Sequence, residues 1–352
     1  MHLKINTGLF LIPFFLLFQS CKSSEEDSIQ ENTPSTKIKT PIIQELKPEL
    51  NKTTPSVETP VFNEDSSFTF IEKQVDFGPR VPNYKEHENC ANWIVSKMTS
   101  YGFDVIVQKG KVTAFDGTQL NIKNIISRHN PDEKGRILLC AHWDTRPFAD
   151  EDTVNIFSPI DGANDGASGV GILMEVARNI SAISPGYGID IIFFDAEDYG
   201  ASKVVSDLRN TNATWCLGSQ YWCKNPVFKD YHPKFGILLD MVGGKDAKFY
   251  KEGISVQYAN KQLKTIWNEA INLGYYDYFI NKLGGEITDD HVYLNKISKI
   301  PTIDIIDYGP NEYNNFTFGK FWHTHSDKID IIHKPTLKAV GQTLLHILYQ
   351  KI

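Results

Sequence analysis

Four apolar, β-rich runs, 136–142, 188–195, 235–240 and 301–306, separated by longer stretches of helical pattern, constrain this chain more than any other feature. Strands that are apolar without alternation are buried on both faces, and buried strands joined through helices make a largely parallel sheet with helices on each side. The span 167–180 supplies a crossover helix, with Val170, Leu173, Met174 and Ala177 at helical spacing. A further helical pattern runs through 88–98 and an extended one through 103–108. The expected class is α/β: a three-layer α-β-α domain around a central mixed, mostly parallel sheet. No internal repeat is apparent.

Polar chemistry gathers where these runs end. The first leads into His142-Trp143-Asp144, the second into Asp195-Ala196-Glu197-Asp198, and the third stops at Asp240. A loop of small residues carries Asp161 and Asp165 into the crossover helix, and Asp289-Asp290-His291 and Trp322-His323-Thr324-His325 follow later. In an open parallel sheet the carboxyl ends share one edge, and ligands bind there. Any one of these acids is as readily a helix cap or a solvated turn; the signal is that several strand ends agree.

If Asp165, Glu197, Asp198, Asp240 and Asp289 converge in a partly desolvated cleft, their repulsion raises several pKa values unless a cation compensates. A divalent metal resolves the conflict. Because histidines accompany the carboxylates, zinc is expected rather than magnesium, with three protein ligands and one open position. On an extended segment His323 and His325 point to one face, so either can be the ligand. His232 and His333 have no such context and read as surface residues.

At the amino end Lys4 precedes an apolar run from Leu9 to Phe18, too short to span a bilayer and broken by Pro13. It ends in Phe18-Gln19-Ser20-Cys21, which resembles a bacterial lipobox, with Phe where an aliphatic residue is more usual. Residues 1–21 are therefore expected to be a lipoprotein signal peptide with Cys21 lipidated, rather than an ordinary secretory signal. The implied location is periplasmic, anchored to the inner or outer membrane of a Gram-negative bacterium. Residues 22–66, rich in Ser, Thr, Pro, Glu and Lys, are expected to be a disordered tether. The catalytic domain is expected over 67–352.

Cys90, Cys140, Cys216 and Cys223 show no CxxC spacing, so a cysteine zinc site is not expected, and Cys140 in its apolar strand reads as a buried thiol. A formal net charge of -7 with no long Lys/Arg run excludes a nucleic-acid surface. Contact with a membrane is expected only through the lipid.

Taken in order, His142-x-Asp144, Gly-Ala-Asn-Asp165-Gly-Ala-Ser-Gly, Phe-Phe-Asp195-Ala-Glu197-Asp198, Leu-Leu-Asp240-Met-Val-Gly and Trp322-His323-Thr resemble the M28 zinc aminopeptidase clan. Within it they look most like the animal-type (type II) glutaminyl cyclases found as lipoproteins in Bacteroidetes. The resemblance runs from Phe68 to Ile352. It implies one zinc ion per chain held by Asp165, Asp198 and His323, with Glu197 as general acid and base. Asp240 and Asp289 would be its hydrogen-bonded acidic partners, Trp322 a wall of the glutamine pocket, and Asp290 and His291 substrate-binding residues. The implied reaction converts the N-terminal glutamine of peptides and exported proteins to pyroglutamate with loss of ammonia. One departure matters: the clan usually has Glu-Glu where this chain has Glu197-Asp198, so the shorter Asp198 must reach the metal through a backbone shift.

An aminopeptidase is the alternative within the clan, with His142 and Asp240 holding a second zinc bridged by Asp165, and Asp144 at or behind that ion. A non-catalytic surface lipoprotein is a third reading, which the intact Glu197 and carboxylates disfavour.

Overall fold

The computed structural model describes residues 58–206 and 211–352. The signal peptide, Cys21 and the tether as far as residue 57 lie outside the described residues.

The four apolar runs are strands β3 (Arg136–His142), β4 (Gly188–Phe194), β5 (Gly236–Asp240) and β8 (Thr302–Ile306), in which every residue is buried. They lie in the order β4-β3-β5-β8 and are parallel throughout. Successive side chains point to opposite faces, so burial on both faces requires the unalternating apolar sequence. Two longer strands, β1 (Asp104–Thr113) and β2 (Gln119–His129), form an antiparallel hairpin, and β2 joins β4 antiparallel to complete a six-stranded sheet. β1 is the edge, and its half-exposed residues explain the weaker pattern there.

One face carries Ile137, Leu139, Ile191, Phe193, Ile237 and Ile303. Over it pack α1 (Glu64–Val75), α2 (Lys85–Ser100), α3 (Ala167–Ala182), α5 (Gly253–Asn272) and α7 (Lys334–Gln350). The other face carries Leu138, Cys140, Ile192, Phe194 and Leu238 under α4 (Leu217–Lys224) and α6 (Asp290–Lys296). The three layers are as expected. A smaller sheet, order β10-β9-β6-β7, was not: β6 (Phe249–Lys251), β7 (Phe279–Leu283), β9 (Tyr308–Pro310) and β10 (Phe316–Phe318) are too short to show a period.

The folded chain also begins earlier than the expected boundary at residue 66. Phe62 is fully buried and its N–H donates to Gln342 Oε1 of α7 at 2.9 Å. Gly341 makes the room, since a Cβ there would lie 2.2 Å from the Phe62 ring. Asn63 then caps α1, accepting from Ser66 N at 2.9 Å. A single buried aromatic outweighs the polar composition around it. Among the described residues no helix is long and apolar enough to cross a membrane.

Candidate metal centre

The strand-end acids converge as the parallel topology requires. His142 closes β3, Asp240 closes β5, Glu197 and Asp198 follow β4, Asp165 precedes α3, and Asp289 is the N-cap of α6. Asp165 lies between two groups. Its Oδ2 is 3.8 Å from His323 Nε2, which is 3.1 Å from Asp198 Oδ1; its Oδ1 is 3.0 Å from His142 Nε2, which is 3.1 Å from Asp240 Oδ1. Within each of these groups the candidate ligand atoms all lie within 4.8 Å of one another.

Asp165, Asp198 and His323 fit a zinc ion. Donors about 2.1 Å from a tetrahedral zinc stand roughly 3.4 Å apart, and the observed separations bracket that value. Asp198 Oδ2 is buried with no hydrogen-bond partner, as a ligand atom awaiting a cation would be. Two carboxylates and one imidazole form the mixed oxygen and nitrogen set of a catalytic zinc. In the loop before Asp198, Ala196 takes the left-handed conformation at φ 51°. Asp144 holds that loop, its carboxylate accepting from Glu197 N at 3.0 Å and Asp198 N at 3.2 Å. Asp144 therefore stands behind the candidate ligands. Asp195, the first acid after β4, is turned away from the site and accepts from buried His87 at 2.8 Å.

His323 does not lie on a strand. It sits in a turn at φ 53°, and the expected alternation with His325 fails because a strand is what would have placed both rings on one face. His325 points to the surface, near the Asn155 carbonyl at 3.4 Å. Two indoles stack with the His323 ring: Trp322 at a centroid distance of 3.8 Å and Trp215 at 5.7 Å. Asp150 approaches His323 Nδ1 at 3.3 Å and is itself gripped by Arg146 through two bonds of 2.7 Å. This orients Nε2 toward the metal position. Burial alone would raise the Asp150 carboxyl, but the Arg146 fork and His323 hold it far below the usual carboxylate range. Asp327 performs a related task for Asp165, accepting from Asn164 N at 2.7 Å and Asp165 N at 3.0 Å. Sequence reasoning missed Asp150, Arg146, Asp327 and Trp215, none of which ends an apolar run. The Arg146 and Asp150 pair, four residues apart just after His142-Trp143-Asp144, was the available signal.

Glu197 faces the same cleft. Burial, then the neighbouring Asp289 and Asp198 charges, push its carboxyl well above the ordinary range; burial also lifts Asp198 to about 6 and Asp240 to about 7. Asp165 is the exception, since its bond to His142 and nearby cationic groups outweigh burial and keep it low. The expected bond between Glu197 and Asp240 is not present. Asp240 ends β5 beside the end of β3 and pairs with His142 instead. The side chain bonded to Glu197 is Cys216, whose Sγ donates to Oε1 at 3.1 Å, and Asp289 completes that group within 4.8 Å.

Asp290 and His291, expected at the substrate, are fully buried and line no part of the cleft. As the first residues of α6 they turn beneath it. His291 Nε2 donates to Glu252 at 3.0 Å, and Glu252 is the N-cap of α5, accepting from Ile254 N and Ser255 N. The cleft holds about 240 Å³, with Asp165, Glu197 and Asp198 at its floor and Trp215, Tyr308 and Trp322 among its walls. It suits one amino-acid side chain entering between aromatic walls.

Fold and site together define an α/β protein of the zinc-peptidase kind, with its candidate metal ligands on the loops beyond the carboxyl edge of a parallel sheet. Residues 124–348 match peptidase family M28, and the chain belongs to that family. Among solved structures, Tannerella forsythia glutaminyl cyclase is 49% identical with a TM-score of 0.80, the match covering 83% of this chain and 100% of that one. A structure described as a leucine aminopeptidase precursor from Bacteroides thetaiotaomicron is 48% identical, also with a TM-score of 0.80, over 84% of this chain and 100% of that one. Bovine glutaminyl-peptide cyclotransferase is 23% identical over 260 residues, 64% of this chain and 64% of the bovine protein. The chain thus spans a little under two thirds of that curated relative.

Proposed function

We propose that the protein is a zinc-dependent glutaminyl-peptide cyclotransferase, which closes N-terminal glutamine of peptides and exported proteins to pyroglutamate and releases ammonia. The observation that carries this reading is the placement of one buried carboxyl, Glu197, beside Asp165, Asp198 and His323 in a cleft the size of a single side chain. The likeness to the Tannerella enzyme supports it.

Asp165, Asp198 and His323 would hold one zinc ion. When bound, zinc supplies a Lewis acid that polarises the γ-carboxamide oxygen and stabilises the negative charge developing there. The cleft does the rest. Trp322 and Trp215 enclose the glutamine side chain, exclude water and bring the free α-amine onto its own γ-carbonyl carbon. The amine nitrogen bonds to that carbon, Glu197 takes the proton the amine loses, and the same proton passes to the departing nitrogen as the carbon–nitrogen bond of the amide breaks. A carboxyl raised by burial and acidic neighbours suits both halves of that transfer. The products are a five-membered lactam and ammonia.

The second group, His142 with Asp165 and Asp240, is what an aminopeptidase would need for a second ion, and it keeps that reading in view. The two are separated by incubating the protein with a Gln-initiated peptide. A cyclase yields a peptide lighter by one ammonia; a peptidase releases free glutamine and a shortened chain, and that result would overturn the proposal. Attachment through Cys21 to the periplasmic face of an inner or outer membrane is part of the same proposal, supported by the Phe18-Gln19-Ser20-Cys21 sequence.

A further inference from the structure

Cys216 is fully buried, and among the described residues the one side chain its thiol meets in a hydrogen bond is Glu197, with Sγ 3.1 Å from Oε1. The contact is built into the backbone. Cys216 N donates to Glu197 O at 2.8 Å and Leu217 N to Ala196 O at 2.9 Å, so the segment entering α4 is laced to the loop that follows β4. Cys216 takes the left-handed conformation at φ 57°, a strained choice for a residue with a side chain, and that conformation leads directly into α4. On its other side Trp215 lies against Gly200, where any Cβ would collide with the indole, and under the Arg146 guanidinium at 4.5 Å. The thiol therefore cannot drift from the carboxylate without unpacking the wall of the cleft. Burial pushes it far above its ordinary pKa, so it keeps its proton and remains a donor.

We propose that Cys216 is a positioning residue for the cyclisation, its S–H donating to Glu197 Oε1 and so reserving Oε2 for the proton lost by the substrate amine. The rate consequence rests on the function proposed above; the hydrogen bond itself does not. Without the thiol the carboxyl is free to rotate, and both oxygens lose their assigned partners. A thiol is also a weak donor, so it orients the carboxylate without competing strongly for the charge that accepts the proton.

Three holoproteins with equal metal content test this. Cys216→Ser keeps a donor and should retain kcat within about threefold; Cys216→Ala removes the donor without placing a β-branched side chain at a left-handed residue, and should lower kcat by at least about tenfold with KM within about twofold, the scale of a misplaced general base. If Cys216→Ala does not fold, Cys216→Gly, which suits the positive φ, is read the same way. Alanine turnover equal to wild type, or serine as slow as alanine, would overturn the role. The infrared S–H stretch gives an answer independent of any activity. The band lost in Cys216→Ser should lie below those of the other thiols and move up in Glu197→Leu; a band at the ordinary position, unmoved by that change, would also overturn it.

Discussion

His323 shows how much of a candidate metal ligand's orientation is decided by the side chains around it. Its ring stacks with Trp322 and Trp215, and its Nδ1 faces Asp150, which Arg146 holds ionised. Removing the carboxylate frees the ring to rotate and leaves a buried guanidinium without its anion. Asp150→Ala should therefore weaken zinc binding by about 10- to 100-fold, read by competition with a chelator; unchanged affinity would show that Asp150 serves only the Arg146 salt bridge. Glu197→Gln addresses the proton instead. It keeps shape and leaves the ligands in place, so zinc content should stay normal while cyclisation slows by at least about 100-fold in single-turnover measurement. At this scale Glu197, Asp198 and Asp240 were legible because they end or follow an apolar run, and Asp165 because a loop of small residues carries it into the crossover helix. Cys216, Asp150 and Asp327 were not, since their contacts reach 19, 173 and 163 positions along the chain to residues of other loops. Asp290 and His291 misled because adjacency to Asp289 was taken for proximity to the substrate, whereas α6 turns them into the interior.

Elements were legible in proportion to their burial. β3, β4, β5 and β8 sit under helices on both faces, and their patterns could hardly be read otherwise. The segments of the small sheet are three to five residues long and partly exposed, so neither period nor composition marks them. The start of the fold was hidden by one residue in a polar stretch. Phe62 fills the notch that Gly341 leaves in α7, and Phe62→Ala should cost about 3–4 kcal/mol, measured by denaturant unfolding. A loss below about 1 kcal/mol would mean that α1 and its leader are not part of the cooperative unit.

Between β8 and β9, Asp307 gives a pH prediction. Burial is the main cause pushing its carboxyl from 3.8 to about 6, only partly offset by the bond from Lys248 N. A raised carboxyl favours the protonated folded form, so its contribution is fully present below pH 4 and is lost as pH rises through 6. Asp307→Asn should thus be more stable than wild type above that value, by about 2 kcal/mol once partial exposure is discounted, and show no gain near pH 4. A pH-independent difference would refute the shift.

At the scale of the whole molecule, one topological fact explains why a site can exist here. Parallel strands deliver their carboxyl ends to one edge, and this chain spends that edge on acids: Glu197, Asp198 and Asp240 directly, Asp165 and Asp289 from the loops beside them. Burying so many carboxyls beside two histidines is costly, which is why several are driven toward the protonated form. On the proposed reading, a dication at Asp165, Asp198 and His323 would reverse that balance and leave Glu197 to carry the proton. The architecture followed from hydrophobic pattern, and the expectation of a metal followed from charge. The choice between one ion and two did not, because the His142, Asp165 and Asp240 group is as complete as its neighbour. Anomalous diffraction at the zinc edge, from crystals grown without added metal, meets that question directly. The account predicts a single strong peak within bonding distance of Asp165, Asp198 and His323; no peak there, or two of equal strength with the second between His142 and Asp240, would contradict it.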